Sequence, residues 1–461
     1  MANINHHFGR RAFLQRSAAL TAFSGTPFLA NLAMMSDAAA QTATDYKALV
    51  CVFLLGGNDQ GNTVVPTSTA LYNAYAAARG GVALAKASLL PITPLATAAG
   101  AYSGAPLGLH PSLGGVKRLF DAGKCALVAN VATLVQPTSK MQYNNEVFLP
   151  AQLFSHSDQQ NSWQTGLPDS PSQTGWLGRA GDALMSQNGA SPVSMCMSLG
   201  GNNMIQAAGN VVQYQLTPYG SVQIAGISPD NGLYNRPNNA ALLQQVLQQG
   251  GSNNLLENEY AKILTRSINA DTTVRAALAP VPATTAAAID SNPLATQLNL
   301  VARMIASRSA LGHKRQIYYV ALGGFDFHSA LLNEQANRLA LVGDALEAFY
   351  NATVALGVAN NVTAFTASEF GRALLANGEG SDHGWGGHHF AVGGAVKGGR
   401  LYGKFPDMQL GSNDDVGEGR LLPSTSVDEY ASAMLRWFGI TDFSTVLPHL
   451  GRFAGFNMDF V

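Results

Sequence analysis

The 461-residue chain has little charge and little cysteine. Only 12% of its residues are charged, and 27 Lys and Arg against 28 Asp and Glu give a formal net charge of −1. This balance, without a basic stripe interleaved with aromatic residues, argues against nucleic acid as the main partner. Cys51, Cys125 and Cys196 each lie in an apolar run. Three such thiols predict neither a disulfide framework nor a cysteine-based metal site.

Long apolar segments are also missing, because no stretch beyond the N-terminus has the roughly 20 uncharged apolar residues of a stable membrane span. At the N-terminus, Arg10 and Arg11 precede a weakly apolar stretch at 17–35 and three alanines at 38–40. This order resembles a twin-arginine signal peptide with a small-residue cleavage site. We expect the twin-arginine translocase to export the protein, which is then periplasmic or secreted, with residues 1–40 removed. The alternative is an ordinary helix after a basic N-terminus.

Several short apolar runs have the composition of buried strands. They span residues 48–55, 126–131, 193–199, 316–322, 362–367 and 390–392. Helical spacing is found at 111–122, 294–309, 334–356 and 427–438. Strands that alternate with helices predict an α/β fold whose mostly parallel central sheet is flanked by helices.

No linker divides the chain, so residues 41–461 are predicted to form a single domain. The composition becomes polar and rich in Asn and Gln at about 200–292. We interpret this stretch as an insertion or cap over the sheet edge. A long polar excursion without a defined structure is the alternative, because loops of this length are usually functional or disordered.

Acids and histidines follow the predicted strands at the points where they end. Asp59 comes after the first run, Asp326 and His328 after the fourth, and Glu369 after the fifth. Because the carboxyl ends of parallel strands meet at one sheet edge, these side chains are expected to line a ligand-binding crevice. Carboxylate with imidazole suits zinc, manganese or iron. The pattern predicts a divalent metal site; taken alone, Asp59 could instead stabilise a turn.

A glycine-rich loop at 378–389 leads into the last predicted strand and carries three histidines beside an acid. Such a loop can wrap around an ion. His383 and His388 are the ligand candidates, whereas Asp382 and His389 have the character of supporting or structural residues. The alternative for His388 and His389 is packing within the strand.

A second group of polar residues lies at 155–158, in the order Ser-His-Ser-Asp. Ser155 or Ser157 is a candidate nucleophile, and His156 and Asp158 are candidate ligands or proton carriers. Their close spacing does not fit a Ser-His-Asp triad, which is assembled from distant positions. A capped polar loop is the alternative.

Two arginines are candidates for binding an anionic group with two hydrogen bonds. Arg372 follows Glu369 by three residues, and Arg179 ends the run Thr-Gly-Trp-Leu-Gly-Arg. Either could instead pair with a structural acid.

The ordered motifs of the chain together resemble a known family. They are Gly-Gly-Asn-Asp at 56–59, Leu-His-Pro at 109–111, Ser-His-Ser-Asp at 155–158, Thr-Gly-Trp-Leu-Gly-Arg at 174–179, Leu-Gly-Gly-Phe-Asp-Phe-His at 322–328, Ser-Glu-Phe-Gly-Arg at 368–372 and Asp-His-Gly at 382–384. From about Tyr46 almost to the C-terminus, the chain is similar to twin-arginine-exported bacterial proteins of the domain-of-unknown-function family 1501. That family is similar in fold to the alkaline phosphatase and sulfatase superfamily, whose members hydrolyse phosphate or sulfate esters with one or two metals.

The resemblance implies a ligand set. It comprises Asp59, Asp326, His328, Glu369 and either His383 or His388. Glu369 and Phe370 stand where the superfamily commonly has an Asp-His pair, so the expected second imidazole is missing there. The sulfatase signature Cys-x-Pro-x-Arg is also missing, which argues against a formylglycine-type sulfatase.

We therefore expect an exported hydrolase of an anionic ester, on a small molecule or a glycan, with one or two zinc or manganese ions. Ser155 or a water activated by the metal would attack, His156 would serve as ligand or proton carrier, and Arg372 would stabilise charge. The alternative is a non-enzymatic cell-surface or exopolysaccharide-associated protein that retains the fold.

Overall fold

The computed structural model describes residues 46–95, 106–222, 236, 238–248, 254–453 and 458–461. The predicted export signal at 1–40 lies outside these residues. Among the helices that are described, none has the length and apolar character needed to cross a bilayer.

The strands of the described residues are β1 (Lys47–Leu55), β2 (Val64–Pro66), β3 (Leu90–Ile92), β4 (Leu107–Leu109), β5 (Cys125–Ala132), β6 (Cys196–Ser198), β7 (Tyr214–Thr217), β8 (Gly220–Ser221), β9 (Arg315–Gly323), β10 (Val362–Ala367), β11 (Arg372–Ala376), β12 (Ser381–His383), β13 (Gly387–Gly393), β14 (Leu401–Tyr402) and β15 (Thr425–Ser426). The α-helices are α1 (Gln60–Thr63), α2 (Thr69–Arg79), α3 (Gly114–Asp121), α4 (Lys140–Asn144), α5 (His156–Thr165), α6 (Trp176–Leu184), α7 (Asn238–Gln248), α8 (Leu255–Leu278), α9 (Pro293–Ala306), α10 (Leu331–Ala355) and α11 (Val427–Phe438).

The central sheet has the strand order β14-β5-β13-β10-β1-β9-β6-β7-β8, and β15 also pairs with β5. β1 lies between β10 and β9 and runs parallel to both. Its interior residues are fully buried because helices cover both faces, as its continuous apolar sequence predicts. The predicted mixed α/β class with a mostly parallel sheet is confirmed.

Alternate residues of β1 face opposite layers of helices. Val50 and Val52 belong to the core formed with α3, α9 and α10. Leu49 and Phe53 belong to the core formed with α5, α6 and α11. β1 is therefore packed between two layers of helices.

One long strand of the sheet runs against the others. β13 is antiparallel to both of its neighbours, β10 and β5. Its first residue, Gly387, pairs with Val131 near the end of β5. The glycine-rich loop therefore reaches the carboxyl edge of the sheet because it precedes a reversed strand.

The polar stretch at 200–292 contributes regular structure in its described parts. β7 pairs with β6 and extends the central sheet. Val274 and Leu278, near the end of α8, are buried in the same core as α9 and α10. The described β7 and the end of α8 thus lie at one side of the sheet, and a capping role for the stretch stays a prediction.

Candidate metal centre

Four polar side chains converge at the carboxyl edge of the sheet. Asp326 and His328 follow β9, His383 ends β12, and His156 begins α5. Oδ1 of Asp326 lies 3.1 Å from Nε2 of His328, 3.4 Å from Nε2 of His383 and 3.6 Å from Nε2 of His156. The Nε2 atoms of His328 and His383 are 3.0 Å apart. Residues that lie far apart in the sequence thus form one compact cluster.

The other ring nitrogen of each histidine faces an oxygen. Nδ1 of His156 lies 2.9 Å from Oε1 of Glu369, and Nδ1 of His328 lies 3.3 Å from Oδ1 of Asp382. Nδ1 of His383 lies 2.7 Å from the backbone oxygen of Phe154. Because a carboxylate or carbonyl oxygen only accepts, Nδ1 carries the proton in the hydrogen bonds of His156 and His383. A neutral ring then presents the lone pair of its Nε2 to the cluster.

This arrangement brings several lone pairs into a small volume. Nη1 of Arg372 and three imidazole Nε2 atoms surround Oδ1 of Asp326, and the Nε2 lone pairs repel one another and the carboxylate unless a further cation or additional protons lie among them. Four ligands placed tetrahedrally about zinc are separated by about 3.3 Å. Ligand atoms of His156, Asp326 and His383 all lie within 4.8 Å of one another, and Nε2 of His328 lies 3.1 Å from Oδ1 of Asp326 and 3.0 Å from Nε2 of His383. Imidazole with carboxylate also suits zinc or manganese, so the residues fit a divalent metal ion.

Glu369 lies behind His156. Its carboxylate is fully buried, and Oε1 also accepts hydrogen bonds from the backbone nitrogen of Gly56 at 2.8 Å and from Nε2 of Gln160 at 3.0 Å. The hydrogen bond and charge of Glu369 raise the pKa of His156 above its ordinary value, although burial opposes this effect. The structure thus places Glu369 as the support of a candidate ligand, where the sequence predicted a direct ligand.

Arg372 supports Asp326 in a similar way. Its buried guanidinium donates through Nη1 to Oδ1 of Asp326 at 2.8 Å and to the backbone oxygen of Gly56 at 3.0 Å. Nε donates to the backbone oxygen of Ser381 at 2.9 Å. Burial disfavours the charged form of Asp326, but the hydrogen bond and charge of Arg372 outweigh it and lower its pKa. Arg372 therefore holds a candidate ligand, and its donors point into the protein.

Two residues of the predicted ligand set lie elsewhere. Asp59 is fully buried in an ion pair with Arg79, and its Oδ1 also accepts from the backbone nitrogen of Gly61 at 3.0 Å, which caps α1. His388 is buried within β13, where its Nδ1 accepts from the backbone nitrogen of Asn130 at 3.0 Å. The structure brings neither residue into the cluster, because each has its own buried partner.

The candidate nucleophile Ser155 lies at the N-cap of α5, directly before His156. Its hydroxyl is exposed and donates to Oδ2 of Asp158 at 2.5 Å. Arg179, in contrast, donates to backbone oxygens, including those of Thr165 and Val446. Ser155 is thus adjacent in sequence to a residue of the cluster. Arg179 has a structural role, because it binds backbone oxygens of other segments.

A sequence model of one family, described as a protein of unknown function (DUF1501), matches residues 46–457. The chain belongs to the DUF1501 family. The resemblance found in the ordered motifs is thereby confirmed at the level of the family. No curated protein matches the sequence.

Solved structures similar to this DUF1501 chain include two with low sequence identity. The crystal structure of Ps i-CgsB is 10% identical, with a TM-score of 0.33, over 90% of this chain and 75% of the other. The crystal structure of the PsFucS1 sulfatase from Pseudoalteromonas sp. is 11% identical, with a TM-score of 0.34, over 89% and 71% respectively.

The sequence did not predict some residues that contact the candidate metal centre. Gln160 follows His156 by four residues in α5, so helical spacing could have placed it on the same face. The backbone oxygen of Phe154 and its contact with His383 left no sequence signal, because any residue has a carbonyl. The partner of Asp59, Arg79, was missed because nothing local relates the end of α2 to α1.

The candidate metal centre is partly open to solvent. The side chains of His383 and His156 are 23% and 32% exposed, and those of His328 and Asp326 are 45% and 46% exposed. Part of each of these four side chains is therefore in contact with solvent.

Proposed function

We propose that the cluster binds a divalent metal ion, zinc or manganese, and that the protein is an exported hydrolase of phosphate or sulfate esters. The observation that supports the metal most directly is the convergence of three Nε2 lone pairs on Oδ1 of Asp326. His156, His328, His383 and Asp326 would hold the ion. Such an ion supplies Lewis acidity and lowers the pKa of water.

The exposure of the centre favours a reaction over a purely structural ion. Structural zinc sites are closed by protein ligands, whereas catalytic sites keep a position open to water or substrate. The candidate ligands here are between 23% and 46% exposed. A non-enzymatic surface protein with a structural ion is the second candidate function.

Ser155 is the nucleophile that the chain itself offers. Its oxygen would form a bond to the phosphorus or sulfur of the ester as the bond to the leaving alcohol oxygen breaks. Its proton would pass to Asp158, which already accepts its hydrogen bond at 2.5 Å, and from there to the leaving oxygen; water would then hydrolyse the serine ester. Ser155 lies at the N-terminus of α5, where the first backbone amides carry partial positive charge. This charge favours the binding of an anionic ester at that end of the helix. A water molecule is the competing nucleophile.

Metal analysis of the purified protein tests the centre. We expect at least one equivalent of zinc or manganese in the wild type and a loss of that metal in His383→Ala. His449→Ala is the matched control, because His449 pairs with Asp169 instead. Less than one equivalent of metal in the wild type after dialysis against zinc would contradict the metal site. Protonation of the imidazoles would then explain how the cluster avoids repulsion.

Turnover of an aryl phosphate and an aryl sulfate tests the reaction. Ser155→Ala is expected to abolish turnover, whereas Ser157→Ala, which removes a hydroxyl 3.4 Å away, is expected to retain it. Activity that survives in both variants assigns the attack to water. A metal-loaded wild type that hydrolyses neither ester class would instead favour the structural alternative.

A further inference from the structure

Three residues other than glycine near the centre have left-handed backbone. Phe154, with φ 72°, precedes His156 by two residues, and Ala330, with φ 51°, follows His328 by two. Glu418, also left-handed with φ 57°, forms an ion pair with Arg420, and Nε of Arg420 donates to the backbone oxygen of His383. Left-handed backbone is disfavoured for residues other than glycine and persists where the surrounding structure enforces it.

Phe154 has the most direct contact with a candidate ligand. Its backbone oxygen accepts the hydrogen bond from Nδ1 of His383 at 2.7 Å. The guanidinium of Arg420 lies over the Phe154 ring, 4.9 Å from its centroid. Nε of the same arginine donates to the backbone oxygen of His383 at 3.0 Å. Two residues in mutual contact therefore hold both the ring and the backbone of His383.

The same residue also controls the start of α5. Phe154 lies two positions before His156, and the rings of His156 and His383 are 4.3 Å apart in an edge-on arrangement. A change of φ at Phe154 would rotate its carbonyl away from His383 and alter the direction in which the chain enters α5. The backbone conformation of Phe154 thus affects the positions of two candidate ligands, His156 and His383.

We propose that Phe154 and Arg420 are positioning residues for the metal centre. The left-handed backbone of Phe154 directs its carbonyl to His383 and so keeps the proton on Nδ1 and the lone pair of Nε2 toward Asp326. Arg420 keeps the Phe154 ring and the His383 backbone in fixed positions relative to each other, because its guanidinium contacts both. The proposal rests on the proposed metal site and adds two residues that touch neither metal nor substrate.

The loop itself supplies a matched control. Phe148 is also left-handed, with φ 53°, but its side chain is 58% exposed. Phe148→Gly and Phe154→Gly relax the same kind of backbone strain at the same kind of residue. Glycine can keep the left-handed backbone, so the two variants differ in the side chain that is lost: only Phe154→Gly removes the ring that lies against Arg420 and thereby the support of the carbonyl that faces His383.

Metal affinity and the absorption spectrum of the cobalt-substituted protein measure the effect. We expect Phe154→Gly to bind zinc roughly 10- to 100-fold more weakly, the usual effect of losing a group that orients a ligand, and to shift the cobalt bands. Phe148→Gly should match the wild type in both. Arg420→Gln should weaken binding as Phe154→Gly does, Arg420→Lys should restore part of it, and the double variant should show less than the sum of the two losses.

The histidine side-chain ¹⁵N spectrum of the metal-free protein separates this proposal from the proposed function. We expect His383 to be the Nδ1–H tautomer in the wild type and a mixture of tautomers in Phe154→Gly. If the wild type binds no metal but this difference persists, positioning is supported and the metal function fails. If Phe154→Gly keeps the tautomer, the affinity and the cobalt spectrum, positioning is overturned while the metal function stands. Should Phe154→Gly not fold, Arg420→Gln decides between the same outcomes.

Discussion

The carboxylate of Glu369 lies 2.9 Å from Nδ1 of His156, although the two residues are separated by 213 positions in the sequence. Glu369 is fully buried, and the backbone of Gly56 and the side chain of Gln160 donate to the same oxygen. Carboxylates in this relation to histidine fix the ring orientation and the tautomer at many metal sites. Glu369 thereby controls the direction in which Nε2 of His156 presents its lone pair.

Glu369→Gln is expected to weaken zinc binding roughly 10- to 100-fold, because the amide cannot replace a carboxylate whose Oε1 alone accepts three hydrogen bonds. A competition titration against a zinc-binding dye measures the change. Glu334→Gln, in the exposed first turn of α10, provides the control. An unchanged Kd for Glu369→Gln would show that His156 does not depend on its partner.

Arg79→Met is expected to destabilise the protein by about 3–5 kcal/mol, because it leaves the buried carboxylate of Asp59 without its compensating charge. Urea unfolding measures the loss, and the double variant Asp59→Asn with Arg79→Met should recover much of it. Asp59→Asn alone should keep the wild-type metal content. Metal loss from folded Asp59→Asn protein would return Asp59 to the ligand set that the resemblance implies.

Acidification is expected to destabilise the fold through His389. Burial lowers its pKa from 6.5 to about 3. Between these values the unfolded chain binds a proton that the folded chain does not, so stability falls as the pH falls through that window, by about 1.4 kcal/mol per pH unit. His389→Phe, which retains a ring to stack on Tyr430, should reduce the slope of unfolding free energy against pH. A variant with the wild-type slope would contradict this.

Asp428 is expected to have the opposite pH dependence. Burial raises its pKa from 3.8 to about 7, and the charge of Arg179 opposes this only in part. Between about pH 4 and pH 7 the folded chain keeps a proton that the unfolded chain releases, so this residue lowers stability as the pH rises. Asp428→Asn should remove that dependence and raise the denaturation midpoint at pH 8 relative to the wild type. A lower midpoint at pH 8 would rule out the effect.

The elements that the sequence predicted well are those with strong local patterns. α11 has the predicted bounds, because Ser426 and Glu429 form a capping box and the apolar spacing is regular. β1 was recognised as a central strand because both of its faces are apolar. The direction of β13 was not predicted, since strand direction depends on pairing with residues far away in the chain.

The sequence also predicted some residues of the candidate site correctly and others not. Asp326, His328 and His383 were predicted as ligands from their places after strands or in the glycine-rich loop, and the structure brings them together. His388 follows His383 closely in the same loop region, but β13 carries it into the interior against Phe405. Local sequence could place these histidines near the sheet edge and could not determine which side chains face solvent.

The sequence by itself determined the α/β class, the family and the residue types that a metal centre requires, because these depend on local periodicity and on ordered motifs. Only the tertiary structure decided which of those residues meet. It directed Asp59 to Arg79 and Glu369 to His156, and it placed the carbonyl of Phe154 against His383. The reason is that a buried charge or a ring nitrogen takes the nearest compatible partner, and that partner is set by packing across the whole sheet.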